Sequence, residues 1–430
     1  CDGCAGRSIG SHSKVAVVAR RPLDASAVTE AAALIAPHIR RTPTERSDAL
    51  SALSGREIFL KLENLQKTGA FKIRGALHAL LRKDAHDRVN GVVTASAGNH
   101  GQGVAYAAQL LGVPATVVLP QGVPLAKLTA IQRTGAEALL LGESYDEAHT
   151  AAVEIARERK RAYVHAFDDD DVIAGQGTLA LELLDDVRDL DVLVVPVGGG
   201  GLISGIALAA SARTPRPRIV GVQAAGASAF ADSFRAGGVV ERPAATIADG
   251  IAVRRPAERT LAIVKRLVDD VITVSDEAIA RAIVVLLERT KLLAEGAGAA
   301  ALAAVLERDG RIGDGRKVGV VISGGNIDPN LLGKALQQGL VSAGRYLAFR
   351  TWLEDKPGML HELTGLLARE HINILHVGIH RLGPYALLGR VGLDVIVDTR
   401  DRAHADAVLA LLRTHGFAAE ELFATAPAHT

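Results

Sequence analysis

Cysteine is almost missing from this 430-residue chain: the two that occur, Cys1 and Cys4, spell C-D-G-C and nothing follows them. One such pair is half of a four-ligand zinc site, so neither a structural zinc nor a disulfide framework is expected. Aromatic side chains make up only 3% and there is a single Trp, which leaves few flat rings on which nucleic-acid bases could stack. Charge of one sign is not in excess: 49 basic residues face 48 acidic ones, for a formal net charge of +1. No basic face for nucleic acid or for an anionic membrane follows from that balance, and small molecules are the expected partners. The apolar run VAVVA at 15–19 is too short for the core of a secretory signal. With no such signal and no disulfides, a cytoplasmic location is expected. Residues 1–24 are polar and unpatterned, and read as a flexible arm.

Long apolar stretches are also missing, with one exception. VLVVPVGGGGLISGIALAASA, residues 192–212, carries no charge over 21 residues, enough to cross a bilayer. Pro196 and the four glycines Gly198–Gly201 would break a spanning helix in mid-hydrocarbon. The stretch divides better into a strand, VLVVPV, a glycine turn, and a helix, LISGIALAASA, that packs on the sheet.

What the chain does have is alternation. GVVTAS (91–96), ATVVLP (115–120) and AEALLLG (136–142) read as buried strands, and helix-like segments follow them, among them YDEAHTAAVEIARERKRA from 145. Strand and helix in alternation predict an α/β fold with parallel sheets covered on both faces. The composition shifts near 335–348, and residues 336–348 are expected as a linker. Beyond it YLAFRTWLE, MLHELTGLLAREH, NILHVGIHRL, GRVGLDVIVDT and RAHADAVLALLRTHG give the order βαββα, with a further strand at AAEELFA. That order suits a small ferredoxin-like module.

Four segments carry chemistry. The tetrad Gly198–Gly201, ahead of Leu202, lets backbone N–H groups close around an anion at a helix start; tight helix–strand packing is the competing explanation. In KLENLQKTGAFKIRGA (61–76) Lys72 lies between Phe71 and Ile73, neighbours that would desolvate the amine and lower its pKa, as a Schiff-base lysine requires. A surface lysine with a snorkelling stem is the plainer alternative. TASAGNHGQGVA (94–105) gathers Ser96, Asn99 and His100 at a strand-to-helix switch, where open α/β sheets bind ligands. VVISGGNID places Ser323 at another strand end.

Together these segments resemble the pyridoxal-phosphate enzymes of the tryptophan-synthase β-subunit fold (fold type II). Within them they resemble the serine/threonine dehydratases, and in particular the threonine ammonia-lyases that carry a C-terminal ACT domain. The resemblance covers roughly residues 25–425. It implies a catalytic region at 25–335, with a smaller subdomain at about 65–165, and a regulatory ACT domain at 349–425. It implies pyridoxal 5'-phosphate held by Lys72, with Phe71 near the ring and Asn99 on its 3-oxygen. Gly198, Gly199, Gly200, Gly201 and Leu202 would form the phosphate cup, and Ser323 would face the ring nitrogen. Ser96, Ala97, Gly98, Asn99 and His100 would receive the substrate carboxylate. The implied activity is deamination of L-threonine to 2-oxobutanoate and ammonia, with L-serine as a second substrate. A homodimer or homotetramer is implied, and isoleucine or valine as effectors of the ACT domain.

Some positions depart from the family's pattern. Ala70 stands where Ser is frequent before the Phe–Lys pair. Ala97 occupies the position that is Ser in the related serine racemases, which weakens a racemase reading. Gln223 and Ala229 replace acidic ligands of a divalent cation, so no divalent metal site is expected, although carbonyl oxygens remain for a monovalent ion. Glu295, in LLAEGAGAA, is divided between capping a helix and chemistry at the ring. A serine-preferring dehydratase or racemase, a β-replacement synthase, and a non-catalytic amino-acid sensor are the alternatives.

Overall fold

The computed structural model describes residues 23–123, 125–308, 310–381 and 389–422. Most of the expected N-terminal arm, with Cys1 and Cys4, lies outside the described residues. Asp24 opens the described fold: its carboxylate accepts from the backbone of Ser26 and Ala27 and caps the helix Ala25–Ile35.

Two parallel sheets form the larger part. One has six strands, in the order Thr44–Arg46, Glu57–Leu62, Lys317–Ile322, Val192–Pro196, Arg218–Ala224 and Asp270–Val274. Only the first of these runs antiparallel to its neighbour. The other has four, ordered Glu137–Leu140, Ala115–Leu119, Val92–Ala95 and Ala162–Tyr163, all parallel. Strands such as Val192–Pro196 and Val92–Ala95 are buried along their whole length, as strands covered on both faces must be.

The helix Lys72–Arg82 joins the two halves. Ile73, Ala76, Leu77, Ala79 and Leu80 share one apolar cluster with Val104, Ala107 and Ala108 of the helix Asn99–Leu111 and with Val172 of the helix Asp170–Asp186. The N-terminus of that helix is therefore pinned from several sides. The charge-free run behaves as its glycines require: a strand to Pro196, a turn, and a helix Gly201–Ala210. Among the described residues no helix is long and apolar enough to cross a membrane.

The third sheet is antiparallel, in the order Ile374–His380, Arg390–Asp398, Tyr346–Glu354 and Ala419–Glu421. The helices Met359–Arg369 and Arg402–Thr414 cover one face through a core that includes Phe349, Leu363, Leu367, Val395 and Leu412. Residues 382–388 and 423–425 of the expected ACT range lie outside the described residues. The expected linker at 336–348 is mostly regular structure instead. The helix Pro329–Ser342 runs through its first half, and the strand starting at Tyr346 takes its end. The helix persists because Leu332, Ala335 and Leu336 pack on the core of the six-stranded sheet. Gly339 lets it lie against Ala280 and Val284, where a Cβ would meet the Val284 side chain at 2.6 Å. The glycines and glutamines of this helix hide its periodicity in the sequence.

Candidate active site

The strand ends and helix starts of the two parallel sheets converge on Lys72. Its Nζ donates to the Ala166 carbonyl at 2.9 Å. Burial pushes the amine down to about 8, against the opposing charge of Glu295. Such an amine is still mostly charged at pH 7, but it gives up its proton far more readily than a surface lysine. Phe71 precedes it, with the amine 5.3 Å from the ring centroid, and the Phe71 N–H donates to the Ser323 carbonyl at 3.0 Å. Ser323, 3% exposed, closes the strand Lys317–Ile322.

The glycine loop stands on the other side of the same segment. Ala166, which accepts from Lys72, is followed by Phe167, and the Phe167 ring occupies the space that a Cβ on Gly199 would need. A Cβ on Gly201 would lie 2.9 Å from that of Phe167. Gly200 has a φ of +88°, where other residues are strained. The first turn of Gly201–Ala210 has no side-chain cap, so its backbone donors face outward at a helix N-terminus. The two explanations of the tetrad are compatible in this geometry. Close packing excludes side chains at Gly199 and Gly201, and the resulting bare backbone offers its donors to an anion. A buried amine of lowered pKa beside an uncapped glycine loop fits pyridoxal phosphate: one end suits a carbonyl, the other a phosphate.

The Ser96–His100 turn forms a third wall. Gly98 N–H donates to Ser96 Oγ at 3.1 Å, and Ala97 is half-buried beside Val117. Asn99 Nδ2 donates to Glu295 Oε1 at 2.6 Å, while Asn99 Oδ1 accepts from Asn326 Nδ2 at 2.8 Å. His100 is buried: it is 2% exposed, and its Nε2 lies 3.1 Å from the Val164 carbonyl. Burial pushes its imidazole down to about 3, so it stands uncharged. The donor it brings to the turn is its backbone N–H.

Glu295 resolves in favour of the cleft. It holds the N-cap position of the helix Gly296–Glu307 but makes no side-chain cap bond; its carboxylate turns to Asn99 instead. Burial, then the charge of Asp249, raises it to about 7. A cavity of about 290 Å³ opens beside it, lined by Lys127, Asp249, Asn326 and Lys334 among others. Gln223 is fully buried, with Oε1 accepting from Ala231 N–H at 2.8 Å, and Ala229 begins the helix Ala229–Ala236.

Sequence reasoning passes over three participants. Asn326 lies three residues after Ser323, in the same SGGN segment. His165 and Phe167 sit in HAFDDDD, another strand-to-helix switch, and the logic that marks Ser96–His100 applies there too. A buried charge network behind Lys72 is not visible in the sequence either. Arg74, itself with no exposed side chain, donates to Glu63 and to Glu182, and Lys61 Nζ donates to Glu182 Oε2 at 2.6 Å.

Residues 35–324 match the pyridoxal-phosphate dependent enzyme family and residues 348–416 the ACT domain. An L-threonine ammonia-lyase of Thermotoga maritima is 44% identical over 383 residues, 88% of this chain and 94% of that protein. The crystal structure of a T.th. threonine deaminase is similar with a TM-score of 0.67 and 40% identity, covering 70% of this chain and 98% of that one. Maize serine racemase gives a TM-score of 0.70 and 38% identity, covering 74% and 98%. With its buried lysine, its glycine loop and these likenesses, the chain belongs to the pyridoxal-phosphate dependent enzymes, and to those among them that carry a C-terminal ACT domain.

Proposed function

We propose that this enzyme is a threonine ammonia-lyase, converting L-threonine to 2-oxobutanoate and ammonia, with L-serine as a second substrate giving pyruvate. The observation that carries the proposal is the Lys72 amine, lowered by burial to about 8 and set between the glycine loop and the Asn99–Glu295 pair. The names of the 44%-identical relative and of the threonine deaminase structure support this substrate over others.

The bound cofactor supplies a sink for the electron pair left at the α-carbon. Lys72 would hold that cofactor, and its amine, once released from it and with its pKa lowered by burial, would take the α-proton. The backbone of Gly198–Gly201 and Leu202 would hold the phosphate, with Phe71 beside the ring and Asn99 donating to its 3-oxygen. Ser323, a neutral hydroxyl, would face the ring nitrogen and would leave it a weaker sink than an aspartate. That favours prompt loss of the β-hydroxyl. The Ser96–His100 turn orients the substrate carboxylate through backbone donors and Ser96 Oγ. Half-buried Ala97 offers no acid on the far side of the α-carbon, so elimination exceeds inversion.

The ACT domain serves as a regulatory module with isoleucine or valine as ligand, in a homodimer or homotetramer. Support comes from the turn before Met359–Arg369, where Gly358 has a φ of +98° and no side chain caps the helix. The deciding experiment measures kcat/KM for L-threonine and L-serine, with chiral chromatography of residual serine and with isoleucine or valine added. Preference for threonine, negligible D-serine and a displaced threonine saturation curve are expected. D-serine forming as fast as pyruvate would convert the assignment to a racemase.

A further inference from the structure

The Lys72 amine and the glycine loop come from distant parts of the chain, yet one short turn touches both. It begins at His165, immediately after the buried Val164 at the end of the four-stranded sheet, and leads into the helix Asp170–Asp186. His165 Nδ1 lies 3.2 Å from the Phe167 N–H and 2.8 Å from the Asp168 N–H. A ring nitrogen that receives two backbone donors carries no proton of its own. The half-buried imidazole thus acts as the side-chain acceptor of a turn, as Asn or Asp does when it binds the backbone two and three residues on. The turn has two products. It aims the Ala166 carbonyl at Lys72 Nζ. It also fixes Phe167, whose ring meets the His165 ring edge-on, with centroids 4.7 Å apart and planes at 89°. That ring is the one that fills the space over Gly199.

We propose that His165 is a positioning residue of the active site: its unprotonated Nδ1 closes the 165–168 turn, which sets the Lys72 amine through the Ala166 carbonyl and the glycine loop through Phe167. The proposal rests on Lys72 being the cofactor-bearing lysine and on the 198–202 loop receiving the phosphate. His165 touches neither substrate nor cofactor in this scheme and acts only through its two neighbours. Its surroundings suit an uncharged ring. Burial pushes it down to about 4, with Lys72 and His149 on one side and Asp168 and Asp169 on the other.

The decisive pair of variants is His165→Leu and His165→Asn. Leucine resembles the histidine in girth but has no acceptor, whereas asparagine places an oxygen where Nδ1 stood. Two measurements are made on protein stripped of cofactor and then reloaded. One is the dissociation constant for pyridoxal phosphate, followed by absorbance. The other is the fraction trapped at Lys72 by borohydride, followed by peptide mass. His165→Leu should bind the cofactor at least tenfold more weakly and trap less at equal saturation. The activity that remains should show a lower kcat with little change in the KM for threonine. His165→Asn should stay within threefold of the parent. Leucine matching the parent would overturn the proposal. So would asparagine failing as badly as leucine while both keep the parent's circular dichroism, because the acceptor would then not matter. If leucine prevents folding, His165→Gln replaces it: its oxygen stands one bond too far out, so it should bind weakly where asparagine binds well, and equal behaviour of the two overturns the proposal. Trapping of a different lysine in the parent itself would instead remove the site assignment on which all of this stands.

Discussion

Two buried lysine–glutamate clusters lie on either side of one helix start, and they have opposite characters. Behind the helix, Lys61, Glu63, Arg74 and Glu182 are packed together; Lys61, Glu63 and Arg74 have no exposed side-chain surface, and Glu182 keeps 14%. Burial alone would drive Glu63 up, but Arg74, by its charge and its hydrogen bonds, takes it below the ordinary carboxylate range. Burial likewise works against Arg74, and Glu63 and Glu182 overcome it and raise it; Lys61 is the exception within the cluster, held below the ordinary lysine value by burial although Glu182 and Glu63 pull it back up. In front of the helix, Lys72 and Glu295 suffer a similar loss of water with far less compensation. Lys72 has a carbonyl as its hydrogen-bond partner, and Glu295 has the Asn99 amide. Their values move toward one another, to about 8 and about 7. Burial sets the penalty in both places, and the supply of charged partners decides whether the group keeps its charge or becomes able to move a proton.

The largest effect should come from the under-compensated side. Lys72→Ala should lower 2-oxobutanoate formation from threonine by at least about a thousandfold, since no neighbouring amine replaces it. Circular dichroism should stay at the parental level, because the alanine removes a group that burial penalises. Parental turnover would show that Lys72 is not the reacting amine. The compensated side should answer in stability instead. Glu63→Gln leaves Arg74 and Lys61 with Glu182 as their remaining carboxylate, and breaking a buried pair in this way costs about 3–5 kcal/mol. A fall of several degrees in the unfolding temperature of the cofactor-free protein is expected. An unchanged temperature would mean that Glu182 alone suffices and that the contrast between the clusters is overstated.

Why one cluster is legible in the sequence and the other is not follows from how their residues are arranged along the chain. Lys72, Asn99, Ser323 and the glycine tetrad each lie at a junction of strand and helix, where local pattern marks the carboxyl end of a sheet. Arg74 stands in the same FKIRGA segment as Lys72, yet its partner Glu182 is 108 residues away. Charges at that separation look like ordinary surface charges until the fold pairs them. Glu295 is ambiguous in the sequence because a helix start serves both capping and chemistry; only the direction of its carboxylate, toward Asn99, distinguishes them. His165 escapes because its work is done through its neighbours' backbone. The helix that runs on to Ser342 reads as a linker because its packing surface depends on Gly339, a residue that sequence patterns take for a break.

A smaller and more diagnostic effect concerns pH. Folding raises Glu295 from 4.5 to about 7, so the folded protein binds this proton more tightly than the unfolded chain does. Its stability should therefore decline as pH rises from about 4.5 to about 7, by an amount on the order of 3 kcal/mol in all for that shift. Glu295→Gln cannot ionise and removes this slope. Denaturant unfolding of the two cofactor-free proteins across that window should show the variant gaining on the parent as pH rises. Parallel curves would place Glu295 among the compensated carboxylates and dissolve the distinction.

The finest effect joins the two members of the front pair. The charge of Glu295 raises the Lys72 amine against the downward push of burial. Removing that charge in Glu295→Gln should therefore let the amine fall below its present value near 8. The amide of glutamine keeps an oxygen for Asn99 Nδ2, so the hydrogen bond survives and the charge is what changes. The measurement is the pH dependence with which an amine-specific reagent labels Lys72 in the cofactor-free protein, read by peptide mass. Its midpoint should move to lower pH in the variant, while the labelling midpoints of exposed lysines stay fixed and serve as internal references. The same change made at the rear, Glu63→Gln, should leave the Lys72 midpoint in place, because Glu63 is not among the groups acting on that amine. A midpoint that moves with Glu63 and not with Glu295 would mean that the two clusters are electrically one, and that the helix between them insulates nothing.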